Sequence, residues 1–329
     1  MTNLLRAARL LPVLAALTMS ACVDRTVAPS TDGGELSFAA ATTPEVRVLA
    51  APGRDAASYM RKINAQLAAR GLRVAVREAN ISFSDADKER EATVIANDRK
   101  RRAGYKFVVF DPRRPTKNGF LRQSIFSPFA QAPTGTAFIP GTPSINASFH
   151  TWTAQECSRL EIVANALEPN IVPSALLAVG GFVNEPLVSD VNTLGFVPGF
   201  IFDQVLGPGS STTVLGVTFP FVWLDEKGNP TDIDHDGLDD LAFAEIWYNG
   251  AFSWTNTGRG KEIDIQTVSL HENGHALGLN HFGKIVLTAN GKLEATPRAV
   301  MNAYIIGTLR ELRPTDQDTY CGLWRNFPN

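Results

Sequence analysis

Residues 263–281 of this 329-residue chain read IDIQTVSLHENGHALGLNH, and they contain three of its five histidines. Asp264 has the side chain of a helix N-cap, and Gly278 can take the left-handed conformation that ends a helix. On a helix between them, His271 and His275 lie one above the other and can face one metal ion. The stretch therefore predicts a helix that carries a metal site.

The turn after Gly278 would bring His281 back toward the same ion as a third nitrogen ligand. Three protein ligands with one open coordination position are typical of a catalytic zinc. Glu272 lies beside the ligands without being one, and we expect it to act as the general base on a zinc-bound water. A helix with incidental histidines and a folded zinc site without activity are the alternatives.

The string H-E-x-x-H-x-x-G-x-x-H from His271 to His281 resembles the zinc signature of the metzincin metalloproteases, and Val300-Met301-Asn302 resembles their Met-turn. The approach to the helix and the closing segment PTDQDTYCGLW, residues 314–324, are similar to the matrixin branch. The resemblance implies an α+β fold with a twisted mixed sheet of five strands, an active-site helix and a small C-terminal subdomain. It also implies site roles: zinc ligands His271, His275 and His281, the base Glu272, and Met301 as the floor beneath the metal.

Several positions depart from the matrixin pattern. Asn273 and Phe282 stand where that branch usually has an apolar residue and a serine. The 19 residues at 282–300 are a longer connection than is typical, and an Asn-Gly turn signal within 286–294 predicts an inserted hairpin beside the cleft. Tyr304 follows the Met-turn at an offset unlike that of oxyanion-stabilising tyrosines, and we interpret it as a packing residue.

An acidic loop, DIDHDGLDD at residues 232–240, places carboxylates at alternate positions around a glycine. This pattern resembles the first half of an EF-hand-type calcium loop, although Phe243 replaces the usual last glutamate. A solvated acidic turn is the alternative. The predicted structural calcium ligands are Asp232, Asp234, Asp236, Leu238 and Asp240.

The N-terminus has the pattern of an export signal. Basic residues are followed by an apolar run at 10–17 that is too short to span a bilayer. Residues 19–22, Met-Ser-Ala-Cys, resemble a bacterial lipobox, which predicts a signal peptide at 1–22 and a lipid on Cys22. Ordinary cleavage near Ala21 is the alternative. Residues 23–44 predict a flexible tether, so we expect an exported protein of the cell envelope or outer membrane, or an extracellular one.

Cysteine use is consistent with export. Removing Cys22 leaves Cys157 and Cys321, an even pair that favours a disulfide in an oxidising compartment, with two buried thiols as the alternative. None of the three lies in a Cys-switch motif, so latency through a cysteine thiolate is not expected.

The remaining pattern divides the chain at the break 111–115. Residues 45–115 predict a small α/β accessory domain or pro-domain, and 116–329 the catalytic domain. The basic run at 99–102 is either a solvated face or a processing site. The predicted elements are helices at 55–70, 84–97 and 148–167 and strands at 72–76, 106–110, 214–223 and 243–248.

The composition limits the function classes. A net charge of −2 argues against a nucleic-acid binder, and 44% hydrophobic residues exclude wholesale disorder. The sequence predicts a monomeric, secreted and lipid-anchored zinc endopeptidase. Its peptide or protein substrate would lie along an edge strand, and it would meet the membrane through its lipid alone. The alternative is a catalytically silent surface lipoprotein that uses zinc and calcium structurally for binding.

Overall fold

A computed structural model of the chain describes residues 56–85, 101–114, 119–169, 175, 189–288, 290–325 and 327. The predicted signal peptide and tether, Cys22 among them, lie outside these ranges. Of the predicted helix at 84–97, only the first two residues lie within these ranges.

The elements follow one another in mixed order along the described residues. The helices are α1 (Ala56–Ala69), α2 (Thr142–Thr153), α3 (Gly199–Leu206), α4 (Ser210–Thr213), α5 (Ile265–Ala276) and α6 (Pro314–Trp324). The strands are β1 (Val74–Val76), β2 (Asn80–Ser84), β3 (Tyr105–Lys106), β4 (Leu121–Ile125), β5 (Gln131–Thr134), β6 (Ala137–Pro140), β7 (Ile162–Ala164), β8 (Val191–Val197), β9 (Val214–Trp223), β10 (Asp239–Asn249), β11 (Trp254–Thr255), β12 (Ile263–Asp264), β13 (Lys284–Leu287), β14 (Leu293–Thr296) and β15 (Tyr304–Ile305).

One mixed sheet of nine strands organises the described residues. Its order is β15-β2-β9-β10-β8-β4-β7, with β1 also paired to β9 and β3 to β10. Strands β7, β4, β8 and β10 run parallel, whereas β9 runs antiparallel to β10. Strands β1 and β2 run antiparallel to β9, and β15 runs parallel to β2. The fold is α+β, as the sequence predicts.

The sheet is covered on both faces, which explains the nearly continuous apolar sequence of β9. One core contains Trp152 of α2, Val268 of α5 and Trp324 of α6. The other contains Ile63 of α1 and Phe202 of α3. Each large apolar side chain that is buried in this way stabilises the fold by about 1.5–3 kcal/mol.

Local periodicity predicts several elements correctly. The predicted helix at 55–70 is α1, which ends before Gly71 with its positive φ of 71°. The strand predicted at 214–223 is β9, and the predicted strands at 72–76 and 243–248 contain β1 and the middle of β10. The predicted strand at 106–110 is mostly wrong: β3 ends at Lys106, and the chain turns at Phe110, where φ is +56°.

The predicted helix at 148–167 is wrong in its position. Helix α2 begins at Thr142 with Pro143 in its first turn, where a missing N–H costs no hydrogen bond, and it ends at Thr153. Residues 162–164, which the sequence predicts as part of this helix, form β7 beside β4. The apolar positions of α2 and β7 together mimic a single helical period.

Described residues on both sides of the predicted boundary at 111–115 contribute strands to the same sheet. Strands β1 and β2, from the predicted accessory or pro-domain, lie along β9. Processing at the basic run stays a prediction. Within the described ranges, no helix has the length and apolar character that crossing a bilayer requires.

The C-terminal part contains the inserted hairpin that the Asn-Gly signal predicts. Strands β13 and β14 pair antiparallel, and Gly291 in their turn has a φ of 72°. Cys157, just after α2, and Cys321 in α6 form a disulfide with their Cα atoms 5.6 Å apart. This bond joins the segment just after α2 to α6.

Candidate metal centre

Helix α5 begins and ends where the sequence predicts. The Asp264 side chain accepts a hydrogen bond from Thr267 N at 2.9 Å and forms an ion pair with Arg310 at 2.5 Å. Gly278 follows the helix with a φ of 85°, and a Cβ at this position would lie 2.8 Å from the Tyr105 carbonyl oxygen. Glycine is therefore required here both by the backbone conformation and by the close approach of Tyr105.

The three predicted histidines converge on one point. The Nε2 atoms of His271, His275 and His281 lie 3.0 Å from one another. A tetrahedral zinc with Zn–N bonds of about 2.0–2.1 Å needs its nitrogens about 3.3 Å apart, so the three imidazoles fit this ion with a small outward movement. His271 and His275 are fully buried, and His281 is partly exposed.

Backbone carbonyls set the orientation of two of these rings. Nδ1 of His271 lies 2.7 Å from the Val300 carbonyl oxygen, and Nδ1 of His275 lies 2.8 Å from that of Leu279. A carbonyl can only accept, so the proton belongs on Nδ1 and the Nε2 lone pair is free for a metal. Two bare lone pairs at this separation repel each other, which is the arrangement a bound cation would relieve.

Burial also keeps the three imidazoles neutral. It lowers the pKa of His271 to about 4. The pKa values of His275 and His281 are lowered well below the usual range, first by burial and then by the neighbouring histidines. Neutral imidazole is the form that binds metal.

The turn at residues 300–302, the predicted Met-turn, packs directly beneath α5. Met301 is fully buried, and a Cβ on Gly274 would lie 2.3 Å from its sulfur, so a larger residue here would displace buried side chains. The buried carboxylate of Asp316 in α6 accepts hydrogen bonds from Val300 N at 2.9 Å and Met301 N at 3.1 Å. Asp316 therefore holds the turn whose Val300 carbonyl orients His271.

Glu272, the predicted base, is fully buried between two strands. Its carboxylate accepts hydrogen bonds from Ser82 Oγ of β2 at 2.5 Å and Thr218 Oγ1 of β9 at 2.7 Å. A Cβ on Gly216 of β9 would lie 2.6 Å from its Oε1 atom. Burial raises the pKa of Glu272 to about 8, although both hydroxyl hydrogen bonds act in the opposite direction.

The structure accounts for two of the sequence departures. Asn273 donates a hydrogen bond to Ser148 Oγ of α2 at 2.6 Å, which gives this buried amide a partner. Tyr304 is buried and stacks on Phe83 with ring centroids 5.4 Å apart, a packing contact of the predicted kind.

The acidic loop brings together three of its five predicted calcium ligands. Carboxylate oxygens of Asp232, Asp234 and Asp240 lie within 4.8 Å of one another. Asp236 instead forms an ion pair with Lys106, whose Nζ atom is also 3.9 Å from Asp234.

Asp240 accepts from the Arg113 guanidinium at 2.7 Å and from Thr231 Oγ1 at 2.6 Å. Leu238 donates its N–H to Asp236 at 2.9 Å, and Phe243 is buried in β10. Calcium at this loop stays a prediction.

Three site residues were not predicted from the sequence: Ser82, Thr218 and Asp316. The alternation of apolar and polar residues in Asn80–Ser84 is a strand signal that could have revealed β2. No local pattern indicates that Ser82 meets a carboxylate 190 positions later in the chain.

Two comparisons with known proteins found no match. No protein-family model matches the chain. No curated protein matches it at a significant level.

Proposed function

We propose that this chain is a zinc endopeptidase of metzincin type, similar to the matrixin branch. The observation that carries the proposal is the convergence of three Nε2 atoms, at 3.0 Å from one another, on the helix that also bears Glu272. Three imidazoles with a neighbouring carboxylate form the donor set of a hydrolytic zinc centre.

The arrangement around the histidines supports the same proposal. Strands β7, β4, β8, β10 and β9 supply a five-stranded mixed sheet, with β9 as its antiparallel member. Helix α5 packs against β9 and β10, Met301 lies beneath it, and the chain closes with α6. These are the parts that the resemblance implies for a metzincin.

The chemistry divides between the metal and the protein. Zinc, when bound by the three histidines, supplies a Lewis acid that acidifies a water and polarises the scissile carbonyl. Glu272 takes the proton of the attacking water and returns it to the leaving amine. The carbonyls of Val300 and Leu279 hold the histidine rings in the tautomer that this centre needs. Export, the lipid on Cys22 and a calcium at the acidic loop belong to the same proposal.

The test compares the mature protein with Glu272→Gln in casein hydrolysis, before and after limited tryptic cleavage. Glutamine keeps the size of the side chain, and it can accept from one of the two hydroxyls and donate to the other, but it cannot take a proton. We expect about one zinc per chain in both proteins and a loss of hydrolysis by a factor of about 10²–10⁴ in the variant.

The matched control is Glu262→Gln, an exposed glutamate close to the same helix, which should leave hydrolysis unchanged. Equal hydrolysis by Glu272→Gln and the parent would refute the assigned base. One zinc per chain without hydrolysis in any form would support the catalytically silent lipoprotein instead.

A further inference from the structure

Strand β2, residues 80–84, is bound through its backbone on both sides. It pairs antiparallel with β9, where Ile81 lies opposite Val217 and Ser82 opposite Gly216. It pairs in parallel with β15, and Phe83 N donates to the Ala303 carbonyl at 2.9 Å. An extended peptide held in this way is the geometry of β-strand addition, in which main-chain hydrogen bonds supply the affinity.

The middle of this strand covers the proposed general base. Ser82 Oγ donates to Glu272 Oε1 at 2.5 Å, and both side chains are fully buried, with exposed fractions of 0%. A base that acts on a water and a peptide must be reachable by both. With Ser82 in place, one carboxylate oxygen already accepts from a hydroxyl and the whole carboxylate is shielded from solvent.

The strand fills an edge that the rest of the sheet would leave open. On its inner side β9 pairs with β10, and on its outer side with β1 and β2, both from residues 74–84. Beyond β2 lies β15, which follows the Met-turn directly. Without residues 74–84, the outer side of β9 and residues 303–305 would face each other across a groove wide enough for one strand.

We infer that residues 80–84 occupy the peptide-binding groove of the protein, in place of an extended peptide substrate. This inference rests on the proposed function for the identity of the groove. A substrate would run antiparallel to β9 and parallel to β15, as β2 does, and must displace β2 to reach Glu272. Residues 80–84 therefore compete with a substrate for the same groove.

Residues 80–84 are held by a contact just before them in the chain and by one within them. Asn64 of α1 exchanges two hydrogen bonds with the backbone of Val76, at 2.7 and 3.2 Å. Phe83 stacks on Tyr304 and is almost fully buried. A segment tethered in this way has an effective concentration of the order of millimolar, so a free peptide competes poorly until the strand is loosened.

The first experiment loosens the strand without changing Glu272 or its two hydroxyl partners. A fluorescein-labelled peptide with the sequence of residues 78–85, EANISFSD, is titrated by fluorescence anisotropy into the full mature chain in the presence of a chelator. We expect Phe83→Ala to bind it at least tenfold tighter than the parent. The matched control Phe138→Ala removes an exposed phenylalanine from the β5–β6 hairpin and should bind like the parent.

The second experiment locks the strand in place and does not depend on the folding of Phe83→Ala. Ile81→Cys with Val217→Cys places two cysteines directly opposite each other on β2 and β9. Opposite Cα atoms of an antiparallel pair lie about 4.5–5.5 Å apart, which a disulfide can span. The two side chains pack in the core with Phe202, on the sheet face away from α5, so the lock leaves Glu272 untouched.

We expect oxidation of the double variant to lower peptide binding and casein hydrolysis at least tenfold relative to its reduced form. The parent under the same redox conditions controls for the native disulfide. If the locked form binds the peptide, or hydrolyses casein, as well as the reduced form, the inference is overturned while the proposed function stands. If no form hydrolyses casein but binding follows the lock, the proposed function fails and the occupied groove remains.

Discussion

The histidine centre at 271–281 and the acidic loop at 232–240 have the same kind of sequence signal but different surroundings. Both place metal-ligand side chains at fixed spacing, and both bring at least three of them together. Around the histidines, backbone carbonyls take the Nδ1 protons and leave bare Nε2 atoms facing one another. In the acidic loop, Lys106 and Arg113 already bind carboxylates.

The spacing of the ligand residues predicts which side chains meet. The charges of the neighbouring residues determine how strongly those side chains attract a metal ion. His271 and His275 direct their Nε2 lone pairs inward, because backbone carbonyls accept the protons on their Nδ1 atoms. Carboxylates near a surface can be neutralised by lysine and arginine, or by water, at little cost. Three substitutions test this contrast.

The largest effect is expected from His275→Ala, which removes one of the three converging nitrogens. Two remaining ligands cannot hold a structural or catalytic zinc at ordinary concentrations. We expect zinc to fall from about one per chain to near zero, measured by elemental analysis, with casein hydrolysis lost. The control His150→Ala removes an exposed histidine of α2. Equal loss of zinc in both variants would refute the assignment of the site.

A smaller effect is expected from Asp316→Asn, which weakens the support of the Met-turn. The amide loses one acceptor oxygen for Val300 N or Met301 N, so the carbonyl that orients His271 is held less firmly. Losing such indirect support typically weakens metal binding by about 10–100-fold. Zinc competition with a chromogenic chelator measures this change. Asp318→Asn, exposed on the same helix, is the matched variant and should bind zinc like the parent.

The smallest effect is expected from Lys106→Gln in the acidic loop. Its ammonium competes with any cation for Asp234 and Asp236, and a unit charge at about 4 Å in a solvated site is worth about 1 kcal/mol. We expect about fivefold tighter calcium binding, measured by calorimetry. Lys227→Gln, at an exposed turn, should change nothing. No calcium response in parent and variant would show that the loop is a solvated acidic turn.

The sequence predicts the histidine centre well because its parts are local. A helix cap, a four-residue spacing and a glycine stop all act within residues 264–281, and short-range geometry alone turns the three rings toward one point. Strand β9 and helix α1 are also predicted, because their apolar patterns extend over most of their length. Helix α2 is misplaced because apolar positions from two elements mimic a single helical period.

The sequence alone indicates the α+β class, the candidate ligands, the candidate base and a candidate cysteine pair. Only the tertiary structure shows that β2 lies over Glu272 and that Asp316 supports the turn at Met301. It also shows that the Lys106 side chain binds a carboxylate of the acidic loop. These contacts join residues far apart in the chain. Their partners depend on which strands the folded sheet brings side by side, and the local pattern of neither partner contains that information.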